Sequence, residues 1–222
     1  MFFKKKSTPN IEDKKRFEYQ HSYNQLIYLA NLYLDTYSQD EAVYILDYLI
    51  GSILDDICTS VIVEPLITIT SGILPEPFPV HYFDEYNEQH KIHTGNIRNI
   101  DLSKSNIYVR PWNTEKTMDN LISLMKKDFR YDKNNHYSYY YSDIDLCYVH
   151  NGNHSINAGR YLKKGEILSQ ELDLTLLYPN YKTDGAFWYN SHTGENTGKV
   201  SDFRFAAVFT LASMRYDIKR KS

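Results

Sequence analysis

Asn151-Gly152-Asn153-His154-Ser155-Ile156-Asn157-Ala158-Gly159 is the stretch on which the reading of this fold turns. The residues before it, 137–149, are rich in tyrosine and alternate in character. Ile144, Leu146 and Tyr148 point to one side, and Asp143, Asp145 and Cys147 to the other. That period of two is the mark of a strand. Asn151-Gly152 is a turn dipeptide, and a short helix is expected from about His154 to Leu162, stopped by Gly165. A glycine after a strand lets the backbone take positive φ and approach a ligand closely. The first N–H groups of the following helix have no partner within it, so they can hold an anion without any particular side chain. Asn153, His154 and Ser155 add side-chain donors at the same place. An ordinary strand-to-helix turn, with Asn153 as cap, has the same letters.

Upstream, Ile97, Ile100 and Leu102 lead to Ile107-Tyr108-Val109, an extended segment that Arg110-Pro111 closes, because proline disfavours helix at the residue before it. Thr114 is expected to cap a helix reaching about Phe129, with Met118, Leu121, Ile122, Leu124 and Met125 apolar. Downstream, residues 167–177 read as further strand. The order strand, helix, strand, turn, helix, strand describes a compact α+β (α/β) unit.

Two helices are expected at the start of the chain. Residues 12–37 carry Phe17, Leu26, Ile27, Ala30 and Leu34 at helical spacing, and residues 39–59 carry a broad apolar face. Between them Ser38 and Glu41 have the spacing of a capping box. Residues 61–70 are β-branched and read as a strand or irregular crossover. Leu74-Pro75-Glu76-Pro77-Phe78-Pro79 suits neither regular helix nor central strand. The expected organisation is therefore a helical region over 1–75, a linker or loop over 76–95, and an α/β domain over 96–222. Within that last domain, residues 182–199 read as a polar loop and residues 202–215 as a closing helix.

Composition narrows the function classes. Hydrophobic residues make up 42% and charged residues 24%, ordinary for a soluble globular protein. No stretch approaches a membrane span, and the polar residues after Lys4-Lys5-Lys6 are the opposite of a secretory signal. Cys58 and Cys147 have no paired spacing, so free thiols in a cytoplasmic protein are expected. A net charge of −3, with basic clusters only near the two ends, disfavours general DNA binding. The 21 tyrosines follow from composition bias rather than from a functional role.

His81, His90 and His93 fall near Asp84, Glu85 and Glu88, but their spacing matches no known metal-ligand set, and no metal ligands are assigned. Asp55 and Asp56 are adjacent on a helix and diverge by about 100°. Ser155 and His154 diverge likewise and do not make a nucleophile–base pair. The loop His192-Thr193-Gly194-Glu195-Asn196 reads as solvated. There is no Walker P-loop, GxGxxG, HExxH or GxSxG motif.

Ile100-Asp101-Leu102-Ser103, Ile107-Tyr108-Val109-Arg110-Pro111, Leu121-Ile122-Ser123-Leu124-Met125, and Gly152-Asn153-His154-Ser155 with Ala158 and Tyr161 occur in a telling order. The segment from about 96 to 167, a third of the chain, resembles sulfiredoxin and ParB-type domains. In that family a strand ends at an Arg-Pro or Asn-Pro corner, and a later strand leads into a Gly-x-His-Arg or Gly-x-Arg-Arg box. The resemblance implies a nucleotide- or phosphate-binding domain, taking a nucleoside triphosphate such as ATP or CTP, with Mg²⁺. Arg110 then matches the corner arginine that assists phosphate transfer, Ser123 a helix serine that contacts phosphate, and His154 the box histidine beside the phosphates. Asn153 stands in place of the catalytic cysteine, so sulfinic acid reduction is not expected. Ser155 replaces the box arginine and removes a fixed charge. Asn120 stands where a lysine is common, with Lys126 and Lys127 further along.

As a phosphotransferase or NTPase, the protein would use Arg110 and His154 to stabilise the transferring oxygens. Ser123, Asn153 and the backbone from Gly152 to Ser155 would position them, with Glu115, Asp119 or Asp143 for Mg²⁺ or as base. The missing cysteine and arginine suit a second reading, a non-catalytic nucleotide-sensing or protein-interaction module. It would act as a homodimer or within a ParB-like assembly of a bacterium or mobile element. A third, a nucleic-acid-associated ParB-like protein or nuclease, runs against the acidic balance. The leading reading requires Arg110 and His154 to converge on one anion-sized hollow.

Overall fold

Ser38 and Glu41 form the reciprocal cap their spacing predicts. The Glu41 N–H donates to Ser38 Oγ at 3.4 Å and the Ser38 N–H donates to Glu41 Oε2 at 3.0 Å, satisfying two loose donors at the helix start. In the structure, a computed structural model that describes residues 11–68 and 74–221, that helix is α2 (Gln39–Ile67), which follows α1 (Ile11–Leu34). The strand or crossover expected over 61–70 is helix as far as Ile67, and residues 69 and 70 lie outside the described residues. Val61 accounts for the difference, because it continues the buried stripe of Leu54, Ile57 and Cys58 at helical spacing. Burying a valine is worth ~1.5–3 kcal/mol, against roughly 0.5 kcal/mol of unfavourable helix propensity. Pro65 sits in the last turn, where it forgoes the bond an N–H would have made to Val61 O.

A short antiparallel hairpin, β1 (His81–Phe83) and β2 (Gln89–Lys91), precedes the main sheet. That sheet comprises β3 (His93–Asp101), β4 (Asn106–Tyr108), β5 (Tyr137–Tyr141), β6 (Leu146–Asn151) and β7 (Glu166–Leu172). Helix α3 (Thr114–Lys126) lies between β4 and β5, and α4 (Asn153–Tyr161) between β6 and β7. The strand order is β3-β7-β5-β6-β4. The pairs β3–β7 and β5–β6 are antiparallel, while β5–β7 and β4–β6 are parallel. β3 is an outer strand, and its register with β7 shifts between His93 and Ile97. The chain finishes with an antiparallel sheet of β8 (Tyr181–Thr183), β9 (Phe187–Asn190) and β10 (Asn196–Lys199), then α5 (Phe203–Lys221). The fold is α+β.

Local turn chemistry explains where elements differ from expectation. Residues 137–149 are a hairpin rather than one strand. Asp145 takes φ +49° in its turn and accepts the Tyr140 hydroxyl at 2.9 Å. The polar loop expected over 182–199 is the three-stranded sheet. Asp184 makes the β8–β9 turn by accepting the N–H groups of Ala186 and Phe187, both at 2.9 Å. The strand expected over 167–177 stops at Leu172. Asp173 then caps a 3-10 turn, Leu174–Leu176, by accepting the Thr175 N–H at 2.9 Å.

β6 is buried on both faces and separates two cores. Leu146 and Tyr148 belong to a large cluster with α1, α2 and α5, whereas Cys147 and Val149 belong to a smaller one with Ile107, Val109 and Ile156 of α4. Phe78, from the proline-rich stretch expected as a linker, is 2% exposed in the larger cluster. Its ring meets Tyr141, Phe205 and Trp188 edge-on at 5.1, 5.6 and 6.4 Å. The same cluster joins Tyr23 near the start of the chain to Ala212 near its end.

Candidate functional site

The strand-to-helix passage expected at Asn151–Gly152 is present. Gly152 takes φ +83° and is the N-cap of α4, with no side chain to bond the helix's first N–H groups. Any Cβ at this position would lie 2.5 Å from His136 Cδ2, so both conformation and space call for glycine. In front of the helix start lies a hollow of about 260 Å³. Trp112 and Asn135 line it, with Lys116 and Asn120 of α3 and the residues from Asn151 to Ser155. The Lys116 ammonium lies 5.4 Å from the centroid of the Trp112 ring.

His154 is fixed by its neighbours. Thr117 Oγ1 donates its single hydrogen to Asn113 O at 2.8 Å. Its 3.0 Å contact with His154 Nδ1 is therefore donated by the imidazole. Nε2 is then the deprotonated nitrogen of the neutral ring, buried and without a hydrogen-bond partner. Burial, with Lys116 nearby, holds the His154 pKa below the usual histidine range. Trp112 packs edge-on against this ring at 5.2 Å.

Ser155 has a different partner, His136. The Asp132 N–H donates to His136 Nδ1 at 3.1 Å, so the proton of the neutral ring is on Nε2, which donates to Ser155 Oγ at 2.9 Å. Ser155 in turn donates to Gly152 O at 3.1 Å. This polarity is opposite to that of a serine nucleophile and its base, so the pair braces the turn. Asn153 is also structural. Its Oδ1 accepts the Arg110 N–H at 3.2 Å, tying the end of the β4 segment to the start of α4.

The structure does not bring the Arg110 guanidinium to His154. Tyr108 packs toward α2 and α5, Val109 toward α4, and Arg110 follows Tyr108 because side chains alternate along an extended chain. Its guanidinium meets Glu64 of α2 at 2.9 Å, in a separate cavity of about 400 Å³ shared with Lys15, Asp202 and Arg204. The expected convergence of Arg110 and His154 on one hollow is thus corrected by strand alternation. Ser123 is exposed on α3 and does not line the hollow; Asn120, a turn earlier, does. Gly152, Asn153, His154 and Ser155 all line it.

Sequence reasoning misses both Trp112 and Lys116, although Lys116 stands four positions before Asn120 and thus on the same helical face. Glu115 and Asp119 are exposed on α3. Asp143 is engaged elsewhere, with the Tyr178 hydroxyl and, at 3.1 Å, with Arg215. The described residues lining the hollow include no carboxylate, so the donor set does not fit Mg²⁺.

Fold and site together define an α+β protein with a glycine-hinged, cationic hollow at the start of a helix. The chain belongs to DUF6710, a family of unknown function, whose model matches residues 4–222. No curated protein and no solved structure matches it. Among the described residues, no helix is long and apolar enough to cross a membrane.

Proposed function

We propose that the hollow at the start of α4 binds the phosphate-bearing end of a nucleotide and that the protein is a nucleotide-binding module. The observation that carries this reading is the convergence of a side-chain-free helix start and Lys116 on one hollow, which His154 also lines. Helix-start N–H groups and a lysine ammonium are the usual donors to phosphate oxygens. Trp112, 42% exposed at the rim, offers a face on which a nucleobase can stack. A volume of about 260 Å³ suits one phosphate with part of its sugar, the rest of the ligand lying outside. ATP and CTP are the ligands to try first.

The absence of a carboxylate from the described lining supports binding or sensing over phosphoryl transfer, which needs a metal ligand or a group to orient the nucleophile. A thermal-shift panel of ATP, CTP, GTP and their diphosphates, with and without Mg²⁺, tests the reading. A shift is expected that does not require Mg²⁺, is lost in Lys116→Ala and Trp112→Ala, and persists in Arg110→Ala. Loss of binding in Arg110→Ala alone would place the ligand in the other cavity and sink the assignment.

A further inference from the structure

We propose that the tip of the β1–β2 hairpin is a metal site, with Asp84, Glu88 and His90 as ligands and a first-row divalent cation such as Zn²⁺ as the ion. One ligand atom from each residue lies within 4.8 Å of the other two. A tetrahedral ion with bonds of about 2.0–2.1 Å draws its donors to roughly 3.3 Å, so small side-chain adjustments complete the set. Spacing along the chain hides the site, whereas strand register creates it. Tyr82 pairs with His90 and Phe83 with Gln89, and the fold-back brings His90 beside Asp84.

Two of the donors are aimed in advance. Asp84 Oδ1 accepts the N–H groups of Tyr86 and Glu88 at 3.0 and 2.9 Å, which turns Oδ2 toward His90 Nε2 at 2.9 Å. The His90 ring lies on Tyr82, with centroids 5.1 Å apart and planes 25° from parallel. Exposed Glu88 adds the second carboxylate. One imidazole nitrogen with two carboxylate oxygens favours Zn²⁺ and its first-row neighbours over Ca²⁺ and Mg²⁺, which prefer all-oxygen shells. When the ion binds, the imidazole takes the tautomer with its hydrogen on Nδ1, its contact with Asp84 Oδ2 is given up, and the Nε2 lone pair goes to the metal. His81 takes no part, since it pairs with Lys91 on the opposite face of the hairpin.

The competing explanation is a plain Asp84–His90 ion pair that braces the turn, in which Glu88 has no role. Calorimetric titration of Zn²⁺ into the untagged full chain separates the two. The metal site predicts one ion per chain, at least about tenfold weaker binding in Glu88→Gln, and none in His90→Gln. His81→Gln binds as the parent does, and circular dichroism of all variants superimposes. No stoichiometric binding, binding indifferent to Glu88→Gln or His90→Gln, or equal binding of Mg²⁺ overturns the proposal.

Discussion

Gly152 and the two histidines near it make the most exposed claims at the scale of single residues. Gly152→Ala forces a Cβ against His136 at φ +83° and should cost about 2–3 kcal/mol, from the strained backbone and the displaced ring. Urea unfolding measures this, and an unchanged midpoint would show that the turn relaxes freely. Burial holds both His136 and His154 below the usual histidine pKa. The unfolded chain takes up protons on these residues near pH 6.5 while the folded chain does not. Stability should therefore be level above about pH 6.5 and fall as pH drops below it. His136→Gln should flatten part of that slope in urea midpoints recorded from pH 7.5 to 5. Glu171 acts in a lower window. Hydrogen bonds from Asn96, Arg98 and Thr94 hold it to about 2, so its contribution is lost only below about pH 4.5. Affinity for a phosphate ligand should change in the opposite sense to the histidine effect, strengthening as acid protonates His154. The glycine and the histidine were legible in the sequence. The direction of Arg110 was not, because it follows that of Tyr108 two residues earlier, whose packing against α2 and α5 only the fold reveals.

At the scale of elements, short polar signals decided what could be read. The α2 cap was visible because its two partners are three residues apart. Ser38→Ala should cost about 1 kcal/mol, seen as a lower urea midpoint with an unchanged slope, and no loss would show that the helix end frays. The turn within residues 137–149 is hidden for the converse reason. Asp143 and Asp145 fall into the alternation of a strand by chance of spacing, yet Asp145 needs positive φ, and Asp143 accepts the Tyr178 hydroxyl. Nothing local to that stretch reveals a partner 35 residues away. The sheet of β8, β9 and β10 is not legible because its strands are three or four residues long and the outer two, β8 and β10, are rich in polar side chains.

At the scale of the whole molecule, Phe78 shows that a stretch with the composition of a linker serves as part of the core. Phe78→Ala should lose about 3–5 kcal/mol. The buried cluster runs from Tyr23 to Ala212, so helices and sheet should unfold together. Tryptophan fluorescence, reporting on Trp188 and Trp112, and far-ultraviolet circular dichroism should give coincident curves in urea. Separate transitions would mean that the first helices fold as an independent unit. Proline content marks a break in regular structure, but whether the chain then leaves the core or crosses it depends on contacts between distant residues.

The outer position of β3 has a cost that the strand itself offsets. Any border strand carries a row of backbone groups to which a neighbouring molecule can zip. Here Gly95 turns to φ +80° within the irregular start of the strand, and Arg98 and Asp101 place charge further along it. A stranger's strand meets a bent, charged margin rather than a straight one, which guards the protein against fibrous self-stacking.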